Sequence, residues 1–217
     1  MRRNSYHVNS IVHQTLNLPT RAPVMVLPGA ILFPHSLMPL YIFEPRYREM
    51  LAWALEHDRM FCIALLKPGV SEAATDDDFH HTAGLGLVRA CVGRDDGTSH
   101  LVLQGMVRVR FTGFLQEQPF RVAALEELRG EGGSALDDME HLSALVLDLC
   151  AQYRTRGVQV PESLDAQLAQ VQEPEILCDI VAHTFLRDPF LRQRLLEELQ
   201  VAQRLRNLIS YLAAEIG

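Results

Sequence analysis

The chain has 217 residues, 48% apolar and 22% charged, with a formal net charge of −7 from 20 basic and 27 acidic side chains. That composition suits a folded globular protein with a real core and excludes general disorder. The negative excess also opposes a phosphate backbone unless a basic patch gathers locally; no dense one is visible, and Lys67 is the single lysine.

Residues 1–22 are polar and mixed and read as a loosely held tail. The twin arginine Arg2-Arg3 has no apolar stretch behind it, which argues against a secretory signal. No apolar run approaches the ~18 residues that span a bilayer. A cytoplasmic protein with no membrane partner is expected.

From Val24 to about Leu128 the pattern is rich in strands. Val24–Leu27 is a short apolar run stopped by Pro28-Gly29. Residues 31–43 are apolar but cut by Pro34 and Pro39, which remove ladder donors, so an extended loop ending in a strand at Leu40–Phe43 is expected. Pro45 suits a first helical position, and Tyr47, Met50, Leu51, Ala54 and Leu55 recur at helical spacing. Met60–Leu66 reads as a buried strand. Residues 70–82, with Asp76-Asp77-Asp78 and His80-His81, read as a solvated loop.

Val88–Gly93 and Leu101–Leu103 flank Asp96-Gly97, a pair suited to a tight hairpin. Val107, Val109 and Phe111 alternate with Arg108 and Arg110, as in a strand with one wet face. Phe120, Val122 and Ala124 continue the pattern, and six or so short strands suggest a closed or nearly closed β structure. Gly130–Ser134 reads as a flexible joint, and the residues after it are helical. Leu142, Leu145, Val146, Leu149 and Tyr153 keep helical spacing. Pro161, Pro174 and the pair Asp188-Pro189 open further helices, and Leu205, Leu208, Leu212 and Ile216 stripe the last.

Catalytic chemistry is sparse. Lys67 follows no glycine-rich loop, so a phosphate-binding loop of the G-x-x-x-x-G-K-[ST] type is excluded, and no G-x-S-x-G elbow supplies a serine nucleophile. Cys62, Cys91, Cys150 and Cys178 are far apart within apolar segments and read as buried thiols, not zinc ligands or nucleophiles. The Asp/His loop lacks ligand spacing and reads as hydrated. Arg108 and Arg110 could touch an acidic partner, but read first as a solvated strand face. No cofactor or metal is expected.

Residues 26–47, with Phe33-Pro34, Pro39-Leu40 and Phe43-Glu44-x-Arg46-Tyr47, resemble the opening of the N-terminal, substrate-recognition domain of Lon proteases. Gly84-x-Gly86, Asp96-Gly97, Gln104-Gly105-x-x-Arg108, Leu177-x-Asp179-x-Val181-Ala182, Arg192-Gln193 and Val201-x-x-Arg204-Leu205 extend the likeness to the C-terminus. It implies an α+β fold: a β-rich, PUA-like pseudo-barrel over residues 23–128, a glycine-rich joint at 129–133 and a helical subdomain at 134–217. It further implies a non-catalytic module for unfolded or tagged polypeptides, without the family's ATPase and peptidase, working beside a separate protease or chaperone. RNA binding is the alternative, since PUA-type barrels elsewhere read RNA. The binding surface is expected on the proline-broken segment, at Leu32, Phe33, Pro34, Leu37 and Met38. Some of these must be core, Phe33 foremost. The purified chain should neither hydrolyse ATP nor degrade casein. Turnover above background that survives Lys67→Ala would overturn that expectation.

Overall fold

The computed structural model describes residues 17–131, 136–156 and 163–216. Residues 1–16 of the expected tail, residues 132–134 of the joint, and Gly157 and Pro161 lie outside them. The described end of the tail is already tied down: Leu18 packs against a buried cluster, and β1 (Arg21–Leu27) begins within the span read as tail.

Five more strands follow: β2 (Leu37–Ile42), β3 (Met60–Leu65), β4 (Thr82–Gly93), β5 (Ser99–Gln116) and β6 (Arg121–Leu128). They form one sheet in the order β2-β5-β4-β3-β1-β6. Because β5 also pairs with β6, the strands β5-β4-β3-β1-β6 close on themselves, and β2 is left outside on the first half of β5. Among the described strands only β1 and β3 pair in parallel; their crossover is built from β2 and helix α1 (Pro45–Glu56).

Strand alternation decides what each face meets. Val24, Val26, Cys62, Ala64, Leu85, Val109 and Phe111 share the barrel interior. Met25, Phe61 and Ile63 point outward and pack with Met50, Leu51 and Ala54 of α1. All six residues of β3 are buried because both its faces are covered. Tyr47 donates its hydroxyl to the Val26 carbonyl at 2.9 Å, fixing α1 on the barrel. The loop at 70–82 is less solvated than expected: it carries a 3-10 turn at Asp76–Asp78 and drives Phe79 fully into the barrel core.

The helices are α2 (Leu136–Thr155), α3 (Ser163–Gln170), α4 (Pro174–Phe185), α5 (Pro189–Glu197) and α6 (Val201–Ile216). Asp188 caps α5 by accepting from the Phe190 amide at 2.7 Å, with Pro189 at the first helical position, as the sequence predicts. The bundle core gathers Val146, Cys150, Cys178, Val181, Leu205, Leu208 and Leu212. The four cysteines are free; burial pushes the Cys62 and Cys178 thiols far up and that of Cys150 up to about 12, whereas Cys91 is only half-buried. Among the described residues no helix is long and apolar enough to cross a membrane.

Two features bind barrel to bundle. The first corrects the reading of Arg108 as a wet-face residue. Arg108 is 2% exposed and forks onto both carboxylate oxygens of Asp179 on α4, one at 2.8 Å, while its Nε donates to the Leu196 carbonyl. Arg204 of α6 lies on the other side of Asp179 and donates to Glu175 at 3.0 Å. Burial raises the Asp179 carboxyl, and the two guanidiniums pull it back. Arg108 faces inward because the bundle covers that side of β5; Arg110, two residues on, stays exposed beside Glu126.

The second is the crossing of residues 31–36 over the sheet. Ile31 and Phe33 enter the bundle core, while Leu32 enters the cluster under α1. The chain passes so close that a Cβ on Gly84 would overlap the Leu32 carbonyl, and one on Gly105 the Phe33 carbonyl. A turn then holds it down: the His35 amide donates to Gly105 and the Gly105 amide to Ser36, each at 2.9 Å. A backbone oxygen in the middle of a pinned turn cannot swing aside, so Gly105→Ala should cost at least about 2 kcal/mol. For a chain of this size that lowers Tm by roughly 4–8 °C or more in a thermal melt. A melt within 1–2 °C of wild type, on the same scale, would mean that the crossing yields easily.

Candidate functional site

The crossing decides the fate of the expected binding residues. Leu32, Phe33 and Pro34 are buried and cannot meet a partner: the glycines beneath let this segment sink into the sheet, so its apolar side chains fill the core. Past the His35-Ser36 turn the chain surfaces as β2, whose residues alternate. Met38 and Leu40 lean inward against the cluster under α1, whereas Leu37, Pro39 and Tyr41 face out. Of the five residues, Leu37 alone stands exposed, at 57%; Met38 belongs mainly to the inner face.

Leu37 is one end of a larger apolar face. Register places Leu37 opposite Gln104, Pro39 opposite Val102, and Tyr41 opposite His100. The next strand puts Ala90 beside Val102 and Val92 beside His100. Tyr41, Phe43 and Val92 are 46%, 57% and 67% exposed. The Tyr41 ring stacks on His100 at 4.7 Å and on Phe43 at 5.7 Å. A shallow depression of about 420 Å3 lies over this end. It shares Ala90 and Val102 with a groove of about 740 Å3, walled on its far side by Leu164, Ile180, His183 and Thr184 of α3 and α4. Pro39, Tyr41, Phe43, Val92 and the helical wall were not anticipated. The period-2 run Leu37, Pro39, Tyr41, Phe43 was the available signal, masked by the prolines; the wall is a contact between distant segments.

Residues 21–214 match the family model of the ATP-dependent protease La (Lon) substrate-binding domain. The chain belongs to this family. It is 25% identical over 205 residues to the Lon protease of Dictyoglomus thermophilum, covering 94% of this chain and 26% of that protein. It is 27% identical over 197 residues to that of Desulfosudis oleivorans, covering 89% and 24%. The chain thus spans about a quarter of the Lon proteases it matches. The N-terminal domain of Mycobacterium avium complex Lon protease superposes with a TM-score of 0.70 at 17% identity, over 89% of this chain and 98% of that one. A Lon N-terminal domain protein from Xanthomonas campestris gives 0.64, also at 17% identity, covering 89% and 99%. The Lon-like motifs quoted above are structural: Gly84, Gly86 and Gly105 lie under the crossing, and Arg108, Asp179 and Arg204 meet in one buried cluster.

The groove wall contains a titratable joint. His183 is held down to about 4 from an ordinary 6.5, first by burial and then by the Arg192 guanidinium; a hydrogen bond to the Leu37 backbone opposes them weakly. Arg192 also donates to the His183 carbonyl at 3.3 Å. With the folded value below the unfolded one, the unfolded chain takes up the proton more readily. The neutral imidazole's contribution is complete above about pH 6.5 and is lost as pH falls toward 4. Between those values the melting temperature of wild type should drop more steeply than that of His183→Gln. Parallel slopes would show that His183 does not feel this environment.

Proposed function

We propose that this chain is a non-catalytic polypeptide-binding module that takes unfolded or tagged segments on the outer face of β2, β5 and β4 and in the adjoining groove. Membership of the Lon substrate-binding family supports the kind of ligand. The observation that carries the location is the continuous exposed apolar strip Leu37, Tyr41, Phe43 and Val92. Large apolar side chains grouped on a surface mark binding sites more often than chance exposure does. A few such side chains, partly covered at about 25 cal/mol per Å2, support roughly micromolar-to-millimolar affinity once association costs are met. That suits a module sampling many clients and passing them to a separate protease or chaperone in the cytoplasm. RNA is disfavoured because the net charge is −7 and the strip is apolar.

The test contrasts two neighbours. Leu37→Asp lies on the outer face, so Tm should hold within about 0.5 kcal/mol of stability while affinity for a labelled, permanently unfolded polypeptide falls about tenfold or more. Met38→Asp places a charge on the inner face and should cost stability instead, on the order of 2–4 kcal/mol. Unchanged binding in Leu37→Asp would place the working surface elsewhere. Binding that collapses steeply as salt rises would favour a polyanion.

A further inference from the structure

The face is selective in charge as well as apolar. The protein carries more acidic than basic side chains, 27 against 20, yet none of the described residues lining the groove or the adjoining depression is Asp or Glu. The basic side chains there are Arg89, His35, His100 and His183, and the Arg94 guanidinium stands 6.0 Å from the Tyr41 ring.

Arg89 is placed there by a defect in the ladder. Val88 pairs with Leu103 and Ala90 with Val102, so Arg89 is the extra residue of a β-bulge. Val88 is buried, and both Arg89 and Ala90 are exposed, so the bulge turns two consecutive residues to the outside where regular alternation allows one. The Arg89 Nε donates to Gln104, which sits opposite Leu37. Among the described residues no carboxylate pairs with Arg89, whereas Arg110 and Arg129, also on the surface, each sit on one and Arg46 on two. Gln104 holds the arginine by one nitrogen without neutralising it.

We infer that the preferred occupant is an extended polypeptide segment carrying apolar side chains and, toward one end, a carboxylate that meets Arg89. The separation follows from the strand. Leu37 beside Gln104 and Tyr41 beside His100 are four residues apart, roughly 13 Å at strand rise, so the carboxylate precedes or follows an aromatic or large aliphatic residue by about four positions. This rests on the apolar face being the binding surface, and it adds the sign and position of the charge.

The experiment uses the full chain and three fluorescent peptides with one apolar core, ending in two Asp, two Gln or two Lys, read by anisotropy at low and moderate salt. The Asp peptide should bind tighter than the Gln peptide by roughly two- to fivefold, the scale of one partly exposed ion pair, and the Lys peptide should bind weakest. Arg89→Gln should bring the three together, and Arg89→Glu should invert their order, with Tm unchanged in both. Equal affinities that all weaken in Leu37→Asp would overturn the charge inference and leave the apolar face standing. An Asp preference that persists in Arg89→Gln would also overturn it, by moving the charge reading elsewhere. Binding indifferent to Leu37→Asp, or seen only with a homopolymeric RNA probe, would remove the underlying surface and the inference with it.

Discussion

The fold depends on one close approach: the passage of residues 31–36 across β4 and β5. Main chain can lie on main chain only where no Cβ intervenes, and Gly84 and Gly105 supply that clearance. What the passage achieves is a distribution of side chains. Ile31 and Phe33 go to the helical core and Leu32 to the cluster under α1, so one short segment is a shared wall of two hydrophobic clusters. The two halves of the chain therefore do not have separate interiors. The turn at His35-Ser36 then releases the chain on the far side of the sheet, and β2 begins there.

The buried ion cluster completes the same junction by other means. Arg108 comes from β5, Asp179 from α4 and Arg204 from α6, and each contributes to no more than two ion pairs within reach of the others. Such a cluster gains little net stability over a well-packed apolar junction, but leaving one member unpaired is costly. Its effect is to specify which helix face meets which strand. Gln193 works beside it, donating to the Thr82 carbonyl at 2.9 Å and to Glu197 at 2.8 Å, which ties α5 to the start of β4. Separate stretches of the family pattern are thereby accounted for by one three-dimensional contact.

Because β5 is long enough to serve the barrel with one half and β2 with the other, part of the sheet projects beyond the closed barrel. One face of that projection is covered by α1; the other faces outward, bordered by α3 and α4, and carries the exposed apolar strip. The position of the strip follows from strand parity. Leu37, Pro39, Tyr41 and Phe43 share one parity, and a slip of one residue would exchange them for Met38, Leu40 and Ile42. The bulge at Arg89 is the local exception to that parity, and it sets the one unneutralised arginine of the groove lining beside the strip.

Much of this architecture was legible in the chain itself. The α+β class, the helix opened by Pro45, the Asp188-Pro189 start of α5, the buried β3 and the Asp96-Gly97 hairpin all depend on local signals: backbone restrictions at proline and glycine, caps, and apolar periodicity within one element. The exposed apolar strip was legible only in part, since Leu37 was named together with Leu32, Phe33 and Pro34, which are core. Composition marked the segment as apolar and irregular, but whether such a segment is buried depends on what lies beneath it. That was written at Gly84 and Gly105, some 50 to 70 residues away. Arg108 was misread for the same reason: alternation says which residues share a face, and only the docked bundle decides whether that face is wet. Local chemistry determined the elements, and long-range packing decided which of their faces remained for a partner.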